Sequence, residues 1–179
     1  KLTQMYAAIA NGGTLWKATV AKAIVKTNGT VVRTFEPEKL GTVDAEKSTF
    51  NFLHTALRAV VTEGTAASAF SGFPVPVSGK TGTAQVFGRN WDGSAKDNTS
   101  WFASYGPSNK PEFAVVMMVS QGGFGASTSG LGVRKIYETL FGVKGNKVDP
   151  EAVLFPSGKP PTKLPKISPA TRPAGEKKK

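Results

Sequence analysis

The sequence contains no cysteine and only one histidine, His54, and these shortages remove several classes of chemistry. Without cysteine there is no disulfide framework, no thiolate zinc site and no cysteine nucleophile. One histidine cannot build a multi-histidine metal site, so we expect no metal, and no motif indicates a cofactor. No apolar run approaches the roughly 18 residues that a transmembrane helix needs.

Acidic residues are also scarce, since 12 Asp and Glu stand against 23 Lys and Arg and give a formal net charge of +11. Residues 144–179 alone carry nine basic residues, three acidic residues and seven of the twelve prolines. Such a segment cannot bury enough apolar surface to fold, so we expect a basic, disordered tail over 144–179. A tail of this charge can contact an anionic lipid or polymer. Binding to nucleic acid is not expected, because basic and aromatic residues do not interleave and no reader motif is present.

Residues 1–143 show the periodicities of a mixed α+β domain. We predict helices over Leu2–Asn11 and Val133–Phe141, and between them a helix that runs to Glu63 with the side chain of Asp44 or Ser48 as its N-terminal cap. His54 falls within the second helix and is expected to be an ordinary helix-face residue. The β-branched runs predict a hairpin around Asn28 and Gly29, and then three strands, Val77–Phe87, Thr99–Tyr105 and Phe113–Ser120. This order predicts helices packed on an antiparallel sheet.

One segment, SGKTGTAQV from Ser78 to Val86, carries a chemical motif. A phosphate-binding P-loop needs a glycine five positions before Gly79 and a helix after the motif. Pro74 occupies that upstream position, and proline lacks the N–H group that a phosphate cradle uses. The residues that follow are typical of a strand. The P-loop interpretation therefore fails on both counts.

The second interpretation is a Lys-Thr-Gly triplet on a strand that lines a serine acyl-transfer site. Lys80 would supply a fixed positive charge, and the hydroxyls of Thr81 and Thr83 can bind a substrate carboxylate. Gly82 has no side chain, so a substrate backbone can approach the strand closely. Alternation puts Lys80 and Gly82 on one side and the threonines on the other, so the substrate should lie along a sheet edge, where free N–H groups suit an oxyanion hole. The triplet alone is also compatible with an ordinary strand.

Four blocks of sequence together resemble the second half of the transpeptidase domain of class B penicillin-binding proteins. The blocks are YAAIANGGTLWK near the start, EGTA at 63–66, SGKTGTAQV, and SWFASYGP. A later stretch, VMMVSQGGFGASTSGLGVRKIYETLFGV, resembles the elongation-type, actinobacterial-like members. The resemblance covers residues 1–143 and implies the fold shared by these transpeptidases and β-lactamases, an antiparallel sheet flanked by helices, of which this chain would be the C-terminal part.

The resemblance implies a serine D,D-transpeptidase that cross-links peptidoglycan stem peptides through an acyl-enzyme and that β-lactams acylate. By position, Lys80 is the motif lysine beside the serine centre, Thr81 would bind the substrate carboxylate, and Thr83 would offer its backbone N–H to the oxyanion hole. Trp101 either packs in the core or walls the substrate groove. The resemblance also implies a glycosyltransferase partner and a place on the extracytoplasmic face of the bacterial membrane, with the anchor in an upstream region.

Two motifs of the family are absent from these 179 residues. The family's nucleophile lies in Ser-x-x-Lys and a second motif is Ser-x-Asn, but no serine here has lysine at +3 or asparagine at +2. Both motifs precede this region in the family, so we expect an upstream fragment to carry them and the chain alone to be inactive. A degenerate domain, a non-catalytic penicillin-recognising sensor or binding module, and a basic scaffold piece remain alternatives at this level.

Overall fold

The computed structural model describes residues 1–28 and 30–149. Three α-helices lie in the described ranges, and a single π-helical turn over Ala126–Gly130 precedes the third. The helices are α1 (Leu2–Ala10), α2 (Lys47–Thr62) and α3 (Leu131–Leu140). The strands are β1 (Thr14–Trp16), β2 (Ala23–Val25), β3 (Val31–Thr34), β4 (Lys39–Thr42), β5 (Ser78–Ala84), β6 (Thr99–Gly106), β7 (Phe113–Val119), β8 (Val143–Lys144) and β9 (Lys147–Val148).

The central sheet is antiparallel and has the strand order β5-β6-β7. The register places Lys80 opposite Ala103 and Gly82 opposite Trp101, and Ser104 pairs with Val115 on the other side of β6. The ends of the three strands lie no more than three residues from the predicted ends. The predicted α+β fold with helices on an antiparallel sheet is confirmed.

The residues of β6 alternate between two separate apolar clusters, as the period of a strand requires. Phe102 joins a larger cluster with Val133 and Tyr137 of α3, and all three are fully buried. On the opposite face, Ala103 and Tyr105 pack against Tyr6 of α1. The sheet is therefore held between helices on both faces, which fixes β6 and, through it, the neighbouring β5.

The smaller strand pairs lie outside the central sheet. Strands β2 and β3 form the predicted hairpin, in which the Asn28 side chain accepts a hydrogen bond from the Thr30 N–H. The pairing of β1 with β4 was not predicted, because both strands are short and distant in sequence. The predicted side-chain cap of α2 by Asp44 or Ser48 is wrong. Glu46 is the N-cap residue without a side-chain cap bond, and Ser48 donates to its carboxylate instead.

A two-stranded hairpin, β8 with β9, closes the described part of the chain. The predicted start of the tail at 144 falls inside this hairpin, where Lys144 forms an ion pair with Asp149. Residues 150–179 of the predicted tail lie outside the described residues. No helix in the described ranges has the length and apolar character required to cross a bilayer.

Candidate active site

The Lys-Thr-Gly triplet lies on β5, a strand at the margin of the central sheet. Within the described residues, β5 pairs with β6 on one side and with no strand on the other. Every second backbone N–H and C=O of such a strand points away from its partner. Because the triplet is extended and no helix follows it, the structure excludes a P-loop.

The first two residues of β5 anchor the strand. Ser78 and Gly79 are buried, and the Ser78 hydroxyl donates a 2.8 Å hydrogen bond to Ser108. A Cβ atom on Gly79 would lie 2.7 Å from the Ala103 carbonyl oxygen and 2.8 Å from the Phe102 ring. No other residue fits there without displacing backbone, so the strand meets β6 closely at this end.

Lys80 is exposed, and its ammonium group lies against the next residue of the strand, Thr81. The Nζ atom lies 2.8 Å from the Thr81 carbonyl oxygen and 3.4 Å from Thr81 Oγ1. None of the ion pairs among the described residues involves Lys80. Its positive charge is thus held beside a hydroxyl group and has no ion-pair partner in the described part of the chain, which suits the binding of an anion.

Besides the Lys80 ammonium, Thr81 has a hydroxyl neighbour from outside the motif. Thr81 Oγ1 and Thr65 Oγ1 are 2.7 Å apart. Thr65 belongs to the EGTA block that follows α2, so the end of this helix meets the motif strand beside Lys80. The block was visible in the sequence, but no spacing rule links a threonine after a helix to a strand sixteen residues later.

Gly82 lies opposite Trp101, and its missing side chain has a structural reason. A Cβ atom on Gly82 would lie 3.1 Å from Trp101 Cβ. The backbone of Gly125 also packs here, because a Cβ on that residue would lie 2.7 Å from the carbonyl oxygens of Gly82 and Trp101. Trp101 is half-buried beside these glycines. The segment around Gly125 therefore forms one boundary of the site.

Thr83 is exposed, and its hydroxyl does not join the Lys80 and Thr81 group. Thr83 Oγ1 accepts a hydrogen bond of 3.3 Å from the Gly125 N–H. The two threonines that the sequence placed together are thus separated in their contacts. Thr81 faces the lysine and Thr65, whereas Thr83 contacts the segment before the π-helical turn.

Two buried serines fix that segment to the sheet. Ser100 Oγ donates to the Phe124 carbonyl at 3.1 Å and lies 2.8 Å from Ser129 Oγ, while the Ser129 N–H donates back to Ser100 Oγ. Ser100 is opposite Thr83 in the β5–β6 register. The segment around Gly125 is consequently held against the exposed end of β5. The π-helical turn that follows it was not among the predicted elements.

His54 lies on α2, as predicted, and takes part in the packing beneath the sheet. Its Nδ1 atom forms a hydrogen bond with the Tyr105 hydroxyl, and the two rings meet edge to face with centroids 5.5 Å apart. Burial raises the pKa of Tyr105 above its usual range. No group of three His, Cys, Asp or Glu side chains suitable for a metal ion occurs in the described ranges.

Two cavities among the described residues are lined by parts of the chain other than the motif strand. A cavity of about 480 Å³ lies between the end of α2 and residues 67–75, and an apolar one of about 470 Å³ lies between α1, α2 and β4. Neither is lined by Lys80, Thr81, Thr83 or Trp101. The candidate site lies along the edge of β5, with Thr65 on one side and Gly125 on the other.

Comparison with known proteins matches most of this chain to one domain family. The family described as penicillin binding protein transpeptidase domain matches residues 1–141. Penicillin-binding protein 2A of Bacillus subtilis is 33% identical over 130 residues, which are 66% of this chain and 18% of that protein. The peptidoglycan D,D-transpeptidase FtsI homolog of Mesostigma viride is 27% identical over 160 residues, 80% of this chain and 26% of the relative.

Solved structures agree with the sequence relatives. A peptidoglycan synthase complex, described for its coordination of polymerization and crosslinking, matches with a TM-score of 0.67 and 32% identity. The match covers 81% of this chain and 23% of the solved one. The chain thus spans only a minor part of the proteins it matches. The family resemblance read from the four sequence blocks is confirmed, and this chain belongs to the penicillin-binding protein transpeptidase domain family.

Proposed function

We propose that this chain supplies the Lys-Thr-Gly strand of a serine D,D-transpeptidase that cross-links peptidoglycan stem peptides and that β-lactams acylate. The observation that carries the proposal is the edge of β5, where the Lys80 ammonium lies 3.4 Å from the Thr81 hydroxyl with no ion-pair partner in the described residues. An ammonium beside a hydroxyl is a site for a carboxylate. Both a stem peptide's C-terminus and a penicillin carry one.

The substrate is proposed to lie along the free margin of β5 as an added strand. Its carboxylate accepts hydrogen bonds from Lys80 and Thr81, and the Thr83 N–H donates to the carbonyl oxygen that gains negative charge during attack. The serine oxygen forms a bond to the carbonyl carbon while the terminal amine leaves with a proton, and the acyl group then passes to an amine of a second stem peptide. Trp101, which lies opposite Gly82 on β6, is proposed to border the bound substrate beside that glycine.

The nucleophile comes from an upstream segment of the same protein that carries Ser-x-x-Lys and Ser-x-Asn. The described relatives are much longer than this chain, which supports such a segment. Without a serine and its base no acyl-enzyme forms, whatever β5 offers. We therefore expect the 179-residue chain alone to be inactive.

Location and partners follow from the same proposal. The protein would act on the extracytoplasmic face of the bacterial membrane, anchored through its upstream region, because the cross-linked polymer lies there. A glycosyltransferase partner is supported by the similarity to the peptidoglycan synthase complex, which coordinates polymerization and crosslinking.

The test is covalent labelling with a fluorescent penicillin. The full-length protein should be labelled, the 179-residue chain should not, and mixing the chain with the separately produced upstream segment should restore labelling. Absence of label on the full-length protein would refute the proposal, and label on the isolated chain would refute the upstream nucleophile. Transfer of an acyl group from a peptide donor to an added amine distinguishes a transpeptidase from a penicillin-recognising sensor, which would hold the acyl group.

A further inference from the structure

Three polar groups are in successive close contact at the edge of the motif strand. Lys80 Nζ lies 3.4 Å from Thr81 Oγ1, which lies 2.7 Å from Thr65 Oγ1. Lys80 and Thr81 belong to the family motif, whereas Thr65 belongs to the turn after α2. The short contact between the two hydroxyls is therefore a tertiary feature that brings a third residue to the carboxylate site.

The turn that carries Thr65 is held firmly. The Gly64 N–H donates to the Ala59 carbonyl at 2.9 Å, and the Ala66 N–H donates to the Val60 carbonyl at 3.0 Å. A Cβ atom on Gly64 would lie 2.8 Å from Val60 Cα, so the turn closes tightly on the helix. Ala66 is fully buried. Thr65 is exposed, but the backbone N–H groups on either side of it are bonded to α2, so its backbone is held in place and its hydroxyl lies 2.7 Å from that of Thr81.

The direction of the hydrogen bonds can be worked out from the number of protons. A threonine hydroxyl has one proton and two lone pairs, and an ammonium group can only donate. If Thr81 is to donate its proton to a substrate carboxylate, Thr81 Oγ1 must accept from its protein neighbours. The Lys80 ammonium meets this condition because it can only donate. Thr65 meets it when its hydroxyl donates to Thr81 Oγ1.

We propose that Thr65 is a positioning residue, which donates its hydroxyl proton to Thr81 Oγ1 and so directs the Thr81 proton at the substrate carboxylate. The inference rests on the proposed function, because it assigns a role within the same carboxylate site. A hydrogen bond accepted by Thr81 also polarises its O–H group, which strengthens the bond that Thr81 donates. Thr65 acts through Thr81, and its effect requires the Thr81 hydroxyl.

The experiment is a double-mutant cycle in the full-length protein, read as the second-order rate of acylation by a penicillin. Thr65→Val keeps the shape of the side chain but removes the proton, and should slow acylation about 10-fold, the usual worth of one directed hydrogen bond. Thr65→Ser should stay within about 2-fold, because it keeps the hydroxyl. In a Thr81→Val background, Thr65→Val should have no further effect.

Two measurements separate positioning from a general structural role. The acylation-rate ratio between penicillin and its methyl ester should fall in Thr65→Val, because only the acid presents a carboxylate, whereas a distorted site would slow both compounds equally. Thr55→Val is the matched control, since Thr55 is an exposed threonine of α2 whose hydroxyl donates to the Asn51 carbonyl within the same helix. It should leave both rates unchanged.

The outcomes are distinct. The positioning role would be overturned if the Thr65→Val protein were acylated at the unchanged rate. It would also be overturned if Thr65→Val slowed acylation by the same factor in the Thr81→Val background. Either result would leave the transpeptidase proposal intact. If penicillin did not acylate the unsubstituted full-length protein at all, the proposed function itself would be overturned. Thermal unfolding of each variant shows whether the fold is preserved.

Discussion

The two ends of β5 differ in what surrounds them. Ser78 and Gly79 are buried against β6 and leave no room for a side chain at position 79, whereas Lys80, Thr83 and Ala84 are exposed. One continuous strand thus has an anchored end and an open end. A substrate-binding strand requires both an anchored end and an open end, because its polar groups must be held in place without being covered.

If the open end binds the substrate, Lys80→Ala should have the largest effect. Acylation of the full-length protein by a fluorescent penicillin should fall about 10²- to 10³-fold, as when other preorganised electrostatic donors are lost. Thermal unfolding should be unchanged, because Lys80 is exposed and its hydrogen bonds are to Thr81. Lys110→Ala, an exposed lysine in the turn before β7, serves as control. An unchanged acylation rate in Lys80→Ala would remove this residue from the site.

At the anchored end, Gly79→Ala should destabilise the protein by about 1–3 kcal/mol, the usual cost of overpacking. The added methyl group would meet the Ala103 carbonyl oxygen at 2.7 Å, and backbone cannot yield cheaply. Urea unfolding of the full-length protein measures the loss. Gly41→Ala is the matched control, since nothing lies within 4 Å of its added Cβ. Equal stability of the two variants would show that β5 is not held tightly at position 79.

Tyr105→Phe tests the packing beneath the anchored end, because Tyr105 lies opposite Ser78 and its hydroxyl bonds to His54. Losing that hydrogen bond should cost about 1 kcal/mol in the free energy of unfolding. The acylation rate of the folded protein should not change, since Tyr105 pairs with the buried Ser78 and not with Lys80. A selective loss of acylation at full stability would mean that the buried pair acts on the site.

The smallest effect is expected for Thr83→Val, which removes a hydroxyl at the open end but keeps the backbone N–H and the β-branched shape. The lost contact is the 3.3 Å bond from the Gly125 N–H, so stability should change by less than about 0.5 kcal/mol. Acylation should fall by less than about 3-fold if Thr83 acts through its backbone. A drop comparable to that of Lys80→Ala would instead assign the Thr83 hydroxyl to the substrate carboxylate.

Much of the local structure was predictable because it depends on short-range signals. Alternating β-branched and aromatic residues predicted β5, β6 and β7, and apolar periodicity predicted the three helices. The N-cap of α2 was mispredicted, because several polar residues precede the helix and local preference does not choose among them. The β1–β4 pair was missed, since three- and four-residue strands carry too little pattern to be recognised without their partner.

The candidate site was only partly predictable for the same reason. Lys80, Thr81, Gly82 and Thr83 could be named because they are consecutive and form a motif. Thr65 and Gly125 were not assigned to the site, because their relation to the motif exists only after α2 and the segment before α3 pack on β5.

The sequence by itself determined the family, the strand that carries the motif and the side chains present on that strand. These follow from the order of residues along the chain, which alone sets motif spacing and side-chain alternation. Tertiary structure decided that β5 has a free edge, that Thr81 contacts Thr65 and that Thr83 contacts Gly125. Such contacts depend on how distant segments pack against one another, and no local preference encodes them.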